Sequence, residues 1–199
     1  GDPGRLQDGS IRVNVSDVPS PPSAPFGGVP GDGQIRFEYQ SGSTNGHPIE
    51  RRVVLATAPG QGSVEQDCPG TTCTITGLRN NVPWTLQMVE YNALGPSEPS
   101  PQSAEYTPDV LPLAPAQPTV ERGDQQLTVT WLPAAFENMD NRGSPVTTYT
   151  LAVYNADGGE VGRREFSGST LTHAWTGLTN GSTYTGTFVQ TQQIASSRL

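Results

Sequence analysis

The sequence predicts an all-β chain of two consecutive small sandwiches, and three observations predict it. First, short patterns recur in constant order through the 199 residues, which marks two homologous units of about 90 residues. Second, the apolar residues alternate with period two, the pattern of half-buried strands. Third, Gly 23 and Pro 19 are clustered between those runs, and no segment sustains helical periodicity. Short strands punctuated by turns at regular spacing are the mark of a sandwich.

The repeat is read as follows. Ile35-Arg36-Phe37-Glu38-Tyr39 matches Leu127-Thr128-Val129-Thr130-Trp131, and Gly31-Asp32 matches Gly123-Asp124 at the same spacing. Further on Pro48-Ile49 matches Pro145-Val146, Thr76-Gly77-Leu78 matches Thr176-Gly177-Leu178, and Trp84 matches Tyr184. The spacing grows because the second copy has longer loops, notably Ala134 to Ser144. Strands are expected over Ile35–Tyr39, Arg52–Ala56, Trp84–Tyr91, Leu127–Trp131, Tyr149–Tyr154 and Tyr184–Gln190. Between them Gly31-Asp32-Gly33, Asn45-Gly46, Asp157-Gly158-Gly159 and Asn180-Gly181 tolerate the positive φ of tight turns.

Domain limits follow. Residues 1–20 read as the remnant strand and linker of a preceding domain, with Ile11-Arg12-Val13-Asn14-Val15 alternating like a last strand. Residues 21–108 form the first domain and residues 109–199 the second. The second ends early by comparison with the first, so Ile194–Leu199 is expected to form at most a short last strand. The preceding strand could then edge the neighbouring strand left unpaired, by exchange between molecules. The Pro-rich run Thr107 to Pro115 is extended and semi-stiff, and Leu111 and Leu113 are expected to pack between the domains.

On these residues the chain resembles tandem fibronectin type III domains, of the kind found in secreted or surface proteins of GC-rich Gram-positive bacteria. In the second unit the resemblance is carried by Trp131, Pro145-Val146, Tyr149, Gly177-Leu178 and Tyr184. In the first it is carried by Tyr39, Pro48-Ile49, Gly77-Leu78, Trp84 and the run Tyr91 to Ser100. The resemblance implies immunoglobulin-like sandwiches and a tyrosine corner at Tyr184, whose hydroxyl bonds back to the nearby chain. Trp84 stands at the first unit's corner, where an indole N–H donates and does not accept.

Composition narrows the function. The net charge is −8 and the sequence pI about 4.6, the opposite of a nucleic-acid-binding face. All eleven basic residues are Arg, which reads as codon bias in a GC-rich genome. No apolar run reaches the roughly 18 residues of a membrane helix, and the chain opens without a signal peptide, as a mature piece or a cut fragment would.

Candidate site residues are few. Cys68 and Cys73 flank Pro69-Gly70-Thr71-Thr72, a turn that brings two Cα atoms into disulfide range. A redox or metal pair is the alternative reading. Zinc wants four ligands, and the chain has two Cys. A disulfide implies an oxidising, extracytoplasmic setting. Arg122-Gly123-Asp124 spells an integrin-recognition tripeptide, but Gly31-Asp32 repeats its Gly-Asp, so the turn explains it. His47 and His173 read as a turn residue and a strand residue. Glu137 and Asp140 bracket a loop whose alternative reading is calcium binding, although their spacing matches no EF-hand; a solvated loop is the reading preferred. Trp131, Trp175 and Tyr39 fall on inward alternation, against a sugar-stacking platform. Arg51-Arg52 and Arg163-Arg164 read as solvated faces, and Asn14 and Asn180 open glycosylation sequons.

The function expected is therefore non-catalytic and needs no cofactor or metal: a protein-interaction and spacer module of a cell-surface or secreted bacterial protein. Its partner is a protein, with a host extracellular protein as one candidate, since two linked domains of this type resemble the elbow of cytokine receptors. Asn92, Leu94, Glu137, Asn138 and Asp140 are the candidate binding-loop residues. The alternative is a pair of accessory domains from a secreted polysaccharide-degrading enzyme.

Overall fold

The computed structural model describes residues 15–193. Among them every regular element is a strand, and the chain divides into two compact units at Pro108/Asp109. In unit 1, β1 (Phe26–Gly31), β2 (Gln34–Glu38) and β5 (Thr72–Ile75) form one antiparallel sheet in the order β1-β2-β5. Its second sheet, β4-β3-β6-β7, contains β3 (Arg51–Thr57), β4 (Val64–Asp67), β6 (Thr85–Asn92) and β7 (Gly95–Pro96). Unit 2 repeats the plan. β8 (Thr119–Gly123), β9 (Gln126–Thr130) and β12 (Thr172–Thr176) form one sheet, and β10 (Val146–Asn155), β11 (Glu160–Ser167) and β13 (Tyr184–Gln192) the other. This is the expected all-β pair of two-sheet sandwiches.

Alternation explains the core. Strand side chains point to opposite faces in turn, so Ile35 and Phe37 on β2, Val54 and Ala56 on β3, and Leu86 and Met88 on β6 meet between the sheets of unit 1. In unit 2 the corresponding space holds rings: Trp131 lies 5.9 Å from Tyr149 in an edge contact and 5.2 Å from Phe188. Tyr39, Trp131 and Trp175, expected to face inward, are buried.

The same turn lock is built twice. Asn80 accepts from the Gly33 N–H at 2.8 Å and donates to Asp32 at 2.7 Å. One hundred residues on, Asn180 accepts from the Gln125 N–H at 2.9 Å and donates to Asp124 at 2.7 Å. The lock needs a left-handed residue after each Asp, and Gly33 (φ 61°) and Gln125 (φ 51°) supply it. Glycine adopts this region at no steric cost; Gln125 holds it against a Cβ penalty.

Both corners close. The Tyr184 hydroxyl accepts from the Thr179 N–H at 3.0 Å. The Trp84 indole N–H donates to the Arg79 carbonyl at 3.1 Å, so the first corner keeps a bond back to the chain with its polarity reversed.

The outer edge of β6 is covered by a serine ladder. Ser97, Ser100 and Ser103 each donate a backbone N–H to Glu90, Met88 and Leu86 in turn, at 2.8–2.9 Å. Each serine hydroxyl then accepts the N–H of that same β6 residue, at 3.1, 2.9 and 2.9 Å. Pro96, Pro99 and Pro101 interrupt the run and lack an N–H. A three-residue repeat is the period of an extended polyproline-type chain, so serine at every third position aims at the edge. Tyr106 then pairs with Trp84 in both directions at 2.9 Å. Gly28 permits this, because a Cβ there would overlap the Tyr106 ring.

Leu111 and Leu113 are exposed, at 74% and 49%. The extended, proline-rich backbone here holds polar contacts within unit 2: Leu113 donates its N–H to Ala135 at 2.8 Å and accepts from Gln190 at 2.6 Å. Residues 11–14 of the expected first strand and all of Ile194–Leu199 lie outside the described residues; Val15 is non-strand and exposed.

Candidate functional site

Asn92 ends β6 and is buried, although the sequence placed it among surface contacts. Its amide donates to the carbonyls of Asp17 at 2.8 Å and Thr44 at 3.2 Å, and its oxygen accepts from the Leu94 N–H at 2.9 Å. One side chain therefore ties three segments of unit 1 together. The turn beyond it carries Leu94 into solvent, 50% exposed.

In unit 2 the long loop before β10 is anchored by Phe136, which is buried. Asn138 caps it locally by accepting the N–H groups of Asp140 at 3.0 Å and Asn141 at 3.2 Å. Glu137, Asn138, Met139 and Asp140 are all exposed. No group of three or more His, Cys, Asp or Glu able to hold a metal occurs among the described residues, so Glu137 and Asp140 are not brought together with further ligands.

Cys68 and Cys73 form a disulfide with Cα atoms 5.5 Å apart, and both are buried in the unit 1 core. Phe37 pairs with Cys73 across the sheet, and the equivalent pair in unit 2 is Val129 with His173. Closing so short a loop stabilises by about 2 kcal/mol in the chain-entropy treatment. His173 packs 4.7 Å from Phe166 and edge-on to Trp175 at 6.0 Å. Burial there, with Arg164 nearby, holds its imidazole below the usual pKa. Arg164 in turn lies over the Trp175 ring at 5.2 Å. His47 sits in the turn before β3, its backbone N–H donating to the Thr44 carbonyl at 3.2 Å.

The tripeptide ending in Asp124 is spent on structure, because the Asp124 carboxylate accepts from Asn180. The same bond occupies the Asn180 sequon.

The polar group that sequence reasoning missed is Glu90. Fully buried on β6, it accepts from the Tyr39 hydroxyl at 3.0 Å, the Ser41 hydroxyl at 2.6 Å and the Gly42 N–H at 3.1 Å. Arg52 Nε lies 3.6 Å away. The signal was present: Glu90 falls on the inward phase of the alternating run Leu86, Met88, Glu90. Burial and the adjacent negative charge push the Tyr39 hydroxyl well above its ordinary pKa. In unit 2, cross-strand pairing puts Tyr149 opposite Gln190 where unit 1 pairs Arg52 with Glu90.

The second sandwich also carries a groove of about 380 Å³ between β8 and β13, lined chiefly by Val120, Leu127, Val129, Leu151, Val153 and Phe188. Among the described residues β13 pairs with β10 alone.

No family model matches the chain. It is 35% identical over 66 residues, 33% of its length, to a Kelch domain-containing protein of Saccharolobus solfataricus. It is 29% identical over 117 residues, 57% of its length, to the Fibronectin type-III domain-containing protein 3a of Gallus gallus. The chain spans 9% of the length of each of these curated relatives. Among solved structures it is similar to a two fibronectin type-III domain segment from chicken tenascin. That match has a TM-score of 0.48 at 17% identity, covering 89% of this chain and 93% of that one. A second similarity is to the FN1-FN3 domains of chicken CNTN1, with a TM-score of 0.46 at 15% identity over 89% of this chain and 68% of that one.

Proposed function

We propose that the chain is a non-catalytic protein-interaction and spacer pair of a secreted or surface-displayed multidomain protein. The observation that supports it is the pinned loop after β6. Asn92 spends both its amide donors on Asp17 and Thr44 and accepts from Leu94, and the result is a fixed turn with an apolar side chain in water. A side chain presented this way loses little freedom on binding, which is the chief advantage of preorganisation. Loops held by a rigid scaffold are where binding residues concentrate. The unit 2 loop offers Met139, 53% exposed, between Asn138 and Asp140.

The partner in this reading is a protein, including a host extracellular protein, that meets Leu94 or the Glu137–Asp140 loop. An internal disulfide suits an oxidising compartment. The bacterial, GC-rich origin rests on the all-Arg composition.

The experiment is affinity capture from extracellular protein mixtures with the folded chain, repeated with Leu94→Asp and Met139→Asp, with Val161→Asp as an exposed apolar control on β11. A partner retained by the parent and the control, and weakened tenfold or more by a loop variant, supports the reading. Capture unaffected by either loop change overturns it.

A further inference from the structure

Each sandwich has a sheet edge formed by the strand after its long central strand: β4 in unit 1 and β11 in unit 2. Where unit 1 runs on past β6, through Ser97 to Tyr106, it follows β6, on the far side of β3 from β4. The continuation of a unit therefore lies at the other end of the sheet from this edge. Register makes the two edges equivalent. Arg52 pairs with Glu90 as Tyr149 pairs with Gln190, so Val53 corresponds to Thr150 and Leu55 to Ala152. Their partners then correspond, Asp67 to Glu165 and Glu65 to Arg163. The Gly168 N–H donates to the Thr147 carbonyl at 2.8 Å, which fixes the alternation along β11. Arg164 and Phe166 turn their backbone groups to β10, and Arg163, Glu165 and Ser167 turn theirs away. Among the described residues no strand lies on that side of β11, and all three are exposed. Arg163 reaches Glu160 at 3.0 Å, while Glu165 makes no ion pair among the described residues.

We infer that the β11 edge pairs antiparallel with the β11 edge of a second copy of this chain, with Arg163 opposite the partner's Glu165. Charge selects both the occupant and the register. A two-fold pairing is self-complementary, so a contact from one residue to another is repeated in reverse. Residues whose backbone faces outward exchange the hydrogen bonds of a new ladder, so the registers available set Arg163 or Glu165 against Arg163, Glu165 or Ser167. Arg163 against itself, or Glu165 against itself, places like charges directly opposite, which is destabilising. Glu165 against Ser167 leaves both charges unmatched. Arg163 against the partner's Glu165 gives two opposite-charge pairs about the axis, and each pair exchanges both of its backbone hydrogen bonds. The axis then passes at Arg164, whose guanidinium is drawn over the Trp175 ring of its own sandwich at 5.2 Å. Unit 1 carries a different sign pattern at the same places. Glu65 and Asp67 are both acidic, so the same pairing of β4 would set acid against acid. Charged residues commonly guard an exposed edge. On β4 they do so, and on β11 the replacement of one acid by Arg163 makes the edge complementary to itself.

This pairing goes beyond the loop reading and does not rest on it, since it uses neither Leu94 nor Met139. The experiment is sedimentation equilibrium of the full chain up to about 1 mM, the scale of a weak association, with amide hydrogen exchange along β11. The expected result is a monomer–dimer equilibrium in which the Arg163 and Glu165 amides exchange more slowly as concentration rises. Arg163→Glu and Glu165→Arg each weaken the dimer about tenfold or more. An equimolar mixture of the two variants restores it, because one chain then presents only acids at these positions and the other only bases. Damage to either fold cannot produce that recovery, and exchange of the β10 amides checks that both variants stay folded. A monomer at every concentration overturns the inference. So does a dimer indifferent to both changes, a dimer that protects β13 or β4 rather than β11, or a mixture that stays monomeric. Leu94→Asp and Met139→Asp leave the dimer unchanged, so the loop reading and this one fail separately.

Discussion

Glu90→Ala destabilises unit 1 by about 3 kcal/mol, and the structure shows where that comes from. A buried ion pair broken from one side commonly costs about 3–5 kcal/mol, but here the figure is at the low end. Arg52 keeps 27% of its side chain in water and its Nε lies 3.6 Å from the carboxylate, so the exposed part of the guanidinium stays hydrated when the carboxylate is removed. Ser41 is exposed and finds water. The Gly42 N–H, half-buried, and the Tyr39 hydroxyl, almost wholly buried, are left without a partner, and an orphaned buried donor such as the hydroxyl costs about 1–3 kcal/mol. The carboxylate stem adds about 0.8 kcal/mol for each buried methylene removed. The assay is native-state hydrogen exchange of the β3 and β6 amides, with urea unfolding of the full chain as a check. Unit 2 supplies the control: Tyr39→Trp, Arg52→Tyr and Glu90→Gln together rebuild the Trp131–Tyr149–Gln190 arrangement and recover most of the loss. Replacing a buried charge cluster by packed side chains is often neutral or stabilising. A loss under about 1 kcal/mol for Glu90→Ala, or no recovery in the triple variant, would refute the reasoning.

Two pH dependences follow from the same contacts. Burial, then the Glu90 charge, raise the Tyr39 pKa in the folded state above its ordinary 10.0; the stabilisation is full below pH 10 and is lost as pH rises beyond it, because the unfolded chain ionises first. Tyr39→Phe should flatten the stability curve of unit 1 above pH 10, read by urea midpoints at pH 8 to 11. The His173 pKa is lowered by desolvation, then by Arg164, from its ordinary 6.5; stability is full above pH 6.5 and falls as the solution is acidified. His173→Gln should therefore reduce the loss of unit 2 stability between pH 7 and 5, and an unchanged slope in β12 hydrogen exchange would count against it.

Much of the fold was legible because each reading was local. Period-two runs and Gly-Asp turns placed six strands within a few residues, and β1, β4, β5, β7, β8, β11 and β12 were left unpredicted as elements because they are short, exposed or polar. Glu121 and Arg122 on β8 show the reason: every residue of that strand is exposed, so hydrophobic alternation never appears. The disulfide was readable since five residues of separation bound its geometry. Asn92 was misplaced because its partners, Asp17 and Thr44, are 75 and 48 residues away, and nothing in a loop sequence distinguishes a buried amide from an exposed one.

Sequence by itself therefore determined the repeat, the strand phase and the net negative charge, all of which follow from residue order and count. Only the tertiary structure decided which polar groups are used up. Asn92, a candidate binding-loop residue in the sequence, is consumed by hydrogen bonds across the fold, while Ser97, Ser100 and Ser103 close a sheet edge that no sequence pattern announced. A hydrogen bond is a relation between two groups, and its second member is set by how distant segments pack, which no local pattern carries.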